Sequence, residues 1–414
     1  MTTPIPLLPE DVWNQVVDRL DHLTDVAALT SVDRNLYRRL RESPRTWREH
    51  LAACTGSQLQ QLGRAVPTLH EVVSRLLELR AMTTLAGCAE SGSAGDGGPA
   101  RQGQLHSPEG VAVGPNGTLY VADTYNDRVR LISAEGVITT IAGTGEPGFN
   151  GDDLPAHKAQ LSSPHAVAVG PDGVLYIADT FNHCIRRVTA DGVITTIAGT
   201  GEPGFNGDDL PAHEALLSFP TGVAVSLNGA VYIADMSNHR VRRVTTDGVI
   251  DTVAGTGRRG FGGDGGPARY AALCDPRGVA AGPDGTVHIA GTSNHRIRRI
   301  SADGVIDTLI GTGQPGFNGD DAPAQQTSLA APRGVAVGSN GAVYIADTSN
   351  HRIRRIGPDG AICTLAGNGQ EGYAGDNGPA DLATLFYPRA VAVGPNGLVY
   401  IITGHRIRRF GTPH

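Results

Sequence analysis

Apolar and polar positions change phase in a fixed order that recurs along most of the chain. A short apolar run, Gly110–Val113, meets a turn at Pro115-Asn116-Gly117, and a second run covers Leu119–Ala122. Polar residues Asp123–Asp127 come next, then the alternating stretch Arg128–Ile132 and the β-branched stretch Val137–Ala142. Apolar runs this short, separated by turn residues, predict four antiparallel strands. Related copies begin at Ala166, Gly222, Gly278, Gly334 and Ala390, each 56 residues after the last. A constant period of this size, with several short strands per repeat, predicts a β-propeller with one blade per copy. Six copies therefore predict six blades.

The final copy stops at Arg406–Phe410, with no room for a fourth strand. The missing piece stands at the other end, where Thr83–Gly87 matches Thr139–Gly143. An early strand that completes the last blade removes the open edge a linear array would expose. Residues 1–80 carry a different, helical pattern. Pro9 sits at a first helical turn beside Glu10 and Asp11, and Val12, Val16 and Leu20 recur at four-residue steps, flanked by Trp13 and Val17. Thr24 can cap a helix through Leu29; Leu36 with Leu40, and Trp47 with Leu51, mark two more. Thr68 and Glu71 have capping-box spacing before His70–Leu79. The expected class is mainly β: a six-bladed propeller over 82–414, closed by 83–87, behind a small all-α domain at 1–53 and a helical linker at 54–81.

Composition agrees. The 414 residues include 56 glycines and 26 prolines with only 18% charged, which suits many turns and argues against a helical or disordered chain. No run of 18 apolar residues predicts a membrane span. The start, MTTPIPLLPEDVW, lacks a basic region followed by an apolar stretch, so a cytoplasmic location is expected. The five cysteines are scattered without CxxC spacing, as reduced thiols would be. Net charge is −7, and Lys158 is the one lysine among 34 basic residues. Residues 1–80 balance ten basic against ten acidic side chains, so the whole deficit lies in the repeats. An acidic body argues against nucleic-acid binding, which needs broad phosphate neutralisation.

The phrases LYVADTYNDRVRLI, VYIADMSNHRVRRV and VYIADTSNHRIRRI resemble NHL repeats, and GFNGDDLPA or GFGGDGGPA resembles the linker of bacterial-type NHL arrays. The order Leu8-Pro9-Glu10, Val12-Trp13, Val16, Leu20, Asp25, Leu29, Val32, Tyr37 and Trp47 resembles an F-box. Asp33 and Tyr37 depart from that pattern, which usually places a Cys or basic residue and a Trp after the valine. An F-box joined to a propeller resembles the substrate receptor of a Skp–cullin–F-box ubiquitin ligase. That resemblance implies a non-catalytic adaptor with no cofactor. Leu8, Pro9, Val12, Trp13, Val16 and Leu29 would dock a Skp-type linker protein and so a cullin-RING ligase. The propeller, expected to be a monomer, would hold a protein substrate. Scarce lysine would leave few acceptors for self-modification.

Candidate chemistry is weighed against repetition. Asp96, Asp152, Asp208, Asp264, Asp320 and Asp376 hold one position in every connection, with a second aspartate at Asp153, Asp209 and Asp321. Calcium would suit such carboxylates, yet a turn that bonds its own backbone explains one copy per blade. Asp123, Asp179, Asp235 and Asp347 end a strand before the Asn-His-Arg turn and are expected to bond within it; Gly291 and Thr403 replace them in two blades. His183, His239, His295, His351 and His405 lie on different blades, too far apart to share a zinc ion. Arg240, Arg242, Arg243 and their equivalents are expected on a solvated outer surface. No phosphate loop, nucleophile elbow or zincin motif occurs. The rivals are a metal-dependent lactonase, lyase or esterase propeller, and an RNA-binding NHL protein. One position varies while its neighbours do not: Glu109, His165, Thr221, Arg277, Arg333 and Arg389, just before each first strand. It should ring the channel mouth, with three arginines forming a basic arc opposite Glu109. An acidic or phosphorylated peptide is the expected ligand.

Overall fold

The computed structural model describes residues 81–411, with 321, 358 and 359 excepted. The helical segments expected over 1–80 lie outside the described residues. So do the docking residues Leu8, Pro9, Val12, Trp13, Val16 and Leu29, and so does Asp321.

Six antiparallel sheets surround a central channel. The first blade runs from axis to rim as β2 (Gly110–Val113), β3 (Leu119–Asp123), β4 (Arg128–Ile132) and β5 (Ile138–Ala142). The sixth blade is completed by β1 (Thr83–Ala86), which pairs antiparallel with Arg406–Gly411, Thr83 opposite Arg409. Ends of the repeat array thus meet in one sheet. Blades two, three and four gain a two-residue fifth strand, Leu154–Pro155, Leu210–Pro211 and Gly266–Pro267, laid by the incoming connection on the rim. Pairs this short leave no alternation to read in sequence.

The core is divided into wedges between blades. Ala122, Val129 and Ala142 of blade one meet Val167, Leu175, Ile177 and Ile194 of blade two, with Ala156, Ala159 and Leu161 of the connection filling the gap. Near the axis the inner strands come close. A Cβ at Gly222 would lie 2.3 Å from the Arg277 carbonyl oxygen, so glycine is required there. No helix among the described residues is long and apolar enough to cross a membrane.

The strand arginines correct the expectation of an outer surface. Arg130, Arg186, Arg242, Arg298, Arg354 and Arg408, the middle ones of each set, are buried. Alternation along the strand sends Arg242 inward and leaves Arg243 at the rim on Asp251, at 2.6 Å. Each buried guanidinium is held by the aspartate of its incoming connection, as in Arg130–Asp96 at 2.7 Å and Arg408–Asp376 at 2.7 Å. Those aspartates also accept from a threonine on the outer strand, Thr252 to Asp208 at 2.8 Å. Their role is structural as expected, but the partners are the Arg and Thr rather than their own backbone. In four blades a second, wholly buried carboxylate faces the same arginine: Asp123, Asp179, Asp235 or Asp347.

The repeated histidines are latches between neighbours. His183 takes a left-handed backbone, and its Nδ1 accepts from the Phe219 amide of the next blade at 3.2 Å. His239, His295, His351 and His405 repeat the contact, and Asp127 substitutes for histidine in blade one, on the Ser163 amide at 2.7 Å. Accepting requires an unprotonated Nδ1. Burial lowers the His183, His295 and His405 rings accordingly.

Candidate functional site at the channel mouth

A β-bulge positions most of the variable residues. Pairing of the first two strands slips between Pro164 and Ala166, Pro220 and Gly222, Pro276 and Gly278, and Pro388 and Ala390. Each slip leaves one extra residue, His165, Thr221, Arg277 or Arg389, and a bulged residue is re-aimed out of the alternation. Together with Glu109 and Arg333 these side chains line one cavity of about 100 Å³, floored by the Val111-type valines. Such a space holds a few waters or one small anionic group.

The charges do not form a free basic arc. Glu109 Oε1 accepts from Arg389 Nη1 at 3.1 Å and Arg333 Nη1 at 3.4 Å, so the glutamate sits among the arginines rather than opposite them. Burial pulls the Arg333 guanidinium down, with Glu109 opposing that effect. Arg277 is different. Among the described residues its guanidinium makes no hydrogen bond or ion pair, although it lines the same cavity. His165 Nδ1 lies 2.8 Å from the Ser163 carbonyl oxygen and donates to it, leaving Nε2 as the acceptor of a neutral ring. Burial is the main cause of its lowered pKa, followed by the opposing pull of Glu109. Thr221 Oγ1 donates to the Arg277 carbonyl at 3.2 Å. The variable position therefore carries structural duties as well as charge. Three guanidiniums line the mouth with one carboxylate, which pairs with two of them.

Aromatic side chains crowd one side of the same face. Tyr125 and Phe181 are 58% and 53% exposed, where the equivalent residues of blades three to five are Ser237, Ser293 and Ser349. Phe181 packs edge-on against Phe219 at 5.3 Å and lies 6.3 Å from His165. Tyr387 adds a further half-exposed ring in blade six. Comparing the repeats at the position of Tyr125 would have shown this asymmetry in the sequence. No three His, Cys, Asp or Glu side chains come together as ligands for a metal among the described residues.

Similarity to known sequences follows the same repeats. The NHL repeat family matches residues 161–188, 217–244 and 329–356, and the Teneurin NHL domain matches 81–148 and 257–318. The propeller is built of NHL repeats. Teneurin-m of Drosophila melanogaster is 30% identical over 290 residues, 63% of this chain and 10% of that protein. NHL repeat-containing protein 2 of Bos taurus is 29% identical over 291 residues, covering 61% of this chain and 39% of its own length. The NHL chain thus spans well under two thirds of either relative. Among solved structures, a structural genomics protein of unknown function from Bacteroides thetaiotaomicron superposes with a TM-score of 0.60 at 20% identity, over 80% of this chain and 76% of that one. At that identity the likeness concerns the fold alone.

Proposed function

We propose that this NHL protein is a non-catalytic receptor whose channel mouth grips an anionic group, carboxylate or phosphate, on a protein partner. The observation that carries the reading is the ratio of three guanidiniums to one carboxylate, with Arg277 unpaired beside it among the described residues. A guanidinium binds carboxylate or phosphate through two parallel bonds, and the partial burial of Arg333 and Arg389 strengthens them. The neighbouring Tyr125 and Phe181 supply apolar contact for the residues flanking the anion, so an acidic or phosphorylated peptide with an apolar neighbour is the matching ligand. Below the mouth the inner strands present valine and alanine, which supports binding rather than chemistry. On this reading the F-box-like segment supplies the second half of an adaptor. Leu8, Pro9, Val12, Trp13, Val16 and Leu29 dock a Skp-type linker, and a cullin-RING ligase modifies whatever the propeller holds.

The two halves are tested separately. The full chain should retain a purified Skp-type protein on a column. Leu8→Ala with Pro9→Ala should weaken that retention roughly thirtyfold, the effect of losing about 2 kcal/mol of anchor contact. Retention unchanged in a double variant with wild-type circular dichroism refutes the adaptor half, while anion binding at the channel stands or falls by its own measurement.

A further inference from the structure

Blade four lacks a group that the other blades supply. In blades one, two, three and five a buried carboxylate fills one seat. Its first oxygen accepts a backbone N–H at 2.7–2.8 Å, from His106, Ser162, Ser218 or Ala330. Its second accepts from Asn126, Asn182, Asn238 or Asn350 at 2.7–2.8 Å and faces the buried arginine. Blade six keeps an acceptor there too, the Thr403 hydroxyl on the Phe386 amide at 2.7 Å. In blade four the residue is Gly291, and it is buried. The donors remain: the Cys274 amide, with no partner among the described residues, Asn294 Nδ2, which meets only the Gly260 carbonyl at 2.7 Å, and Arg298, 2% exposed, whose Nη1, the atom that faces the carboxylate in those four blades, meets only the Ala272 carbonyl at 3.0 Å. A Cβ built on Gly291 meets nothing closer than 3.4 Å, and its φ of −83° is ordinary for any residue, so the place of a side chain is open.

We propose that this seat binds a small monovalent anion, with chloride as its simplest occupant. Leaving buried donors without an acceptor is costly, and every other blade pays that cost with its own side chain. The facing groups are an amide N–H, a carboxamide NH₂ and a guanidinium, all donors. An acceptor-only ion satisfies them at once, whereas a water must also find acceptors for its own two hydrogens. With the ion in place the local charge, one arginine against two anions, equals that of blades one, two, three and five. This site is independent of the channel.

The test compares thermal midpoints of the full chain in sodium chloride and in sodium gluconate at equal ionic strength, followed by far-UV circular dichroism. Wild type should melt about 1–3 °C higher in chloride, as expected for an ion bound only by the folded state. Gly291→Asp should abolish that difference and melt in gluconate no lower than wild type does in chloride. Crystals soaked in sodium bromide should show an anomalous peak between the Cys274 amide and Asn294. That second measurement stands even if the variant folds poorly. No bromide peak, or an equal chloride response in wild type and Gly291→Asp, overturns the site and leaves water as its occupant.

Discussion

Arg242→Met and Arg298→Met make the same change in neighbouring blades and should not cost the same. Arg242 is buried between Asp208, 3.1 Å away and 39% exposed, and Asp235, 3.9 Å away with no exposure. Removing the guanidinium frees Asp208 to be hydrated, but Asp235 keeps only the Ser218 amide and Asn238 as donors. Breaking a buried pair by deleting one partner costs about 3–5 kcal/mol, because the other charge is stranded. Arg298 has no buried carboxylate to strand. Its loss removes bonds to two carbonyls and to Asp264, which is 34% exposed, for about 2 kcal/mol. Methionine preserves most of the apolar stem in both. The pH dependence differs too. Burial raises Asp235 to about 6 in the native protein, and losing Arg242 raises it further. A carboxyl whose folded pKa lies above its unfolded value is most favourable below that unfolded value and loses stability as pH rises through the folded pKa. The Arg242→Met deficit should therefore grow between pH 6 and pH 8, while the Arg298→Met deficit stays level. Urea midpoints read by far-UV circular dichroism, in gluconate buffer, give both quantities; both tryptophans, Trp13 and Trp47, precede the repeats in the sequence. Equal costs with parallel pH profiles would show that packing of the arginine stem, not charge pairing, holds the blades.

Closure is tested by Ala86→Glu: Ala86 is buried in β1 opposite Ile407, so a carboxylate there should release the strand and produce concentration-dependent aggregation through the exposed edge, seen by light scattering. The latches predict an acid-sensitive component. Burial lowers His183, so its contribution is complete above the unfolded value of 6.5 and is lost as pH falls below it; His183→Asn, an acceptor like Asp127, should keep the inter-blade bond while flattening the change in thermal midpoint between pH 7 and pH 5. A variant with the wild-type pH slope would remove His183 from that role.

Blade number, strand order and the closing strand were legible because a constant 56-residue period and period-two alternation survive in every copy. The variable ring was legible as well, since six equivalent positions can be compared inside one sequence. Three things were not. Burial of Arg242 depends on which face of the strand meets the incoming connection, and that strand carries arginine on both faces. The pairing of Glu109 with Arg333 and Arg389 joins residues 224 and 280 positions apart, so only ring closure brings them together. The bulges that turn His165, Thr221, Arg277 and Arg389 into the channel are single-residue slips with no composition of their own.

The central claim is that the unpaired guanidinium at the channel mouth is what an anionic partner meets. Isothermal titration of inorganic phosphate into the full chain, in chloride-free buffer, measures it directly. Arg277→Ala should weaken phosphate binding at least tenfold, the loss of one charge-assisted contact of about 1.5 kcal/mol. Glu109→Gln, which frees Arg333 and Arg389, should tighten it. Phosphate affinity that is the same in wild type and both variants would contradict the account and place any ligand away from the channel.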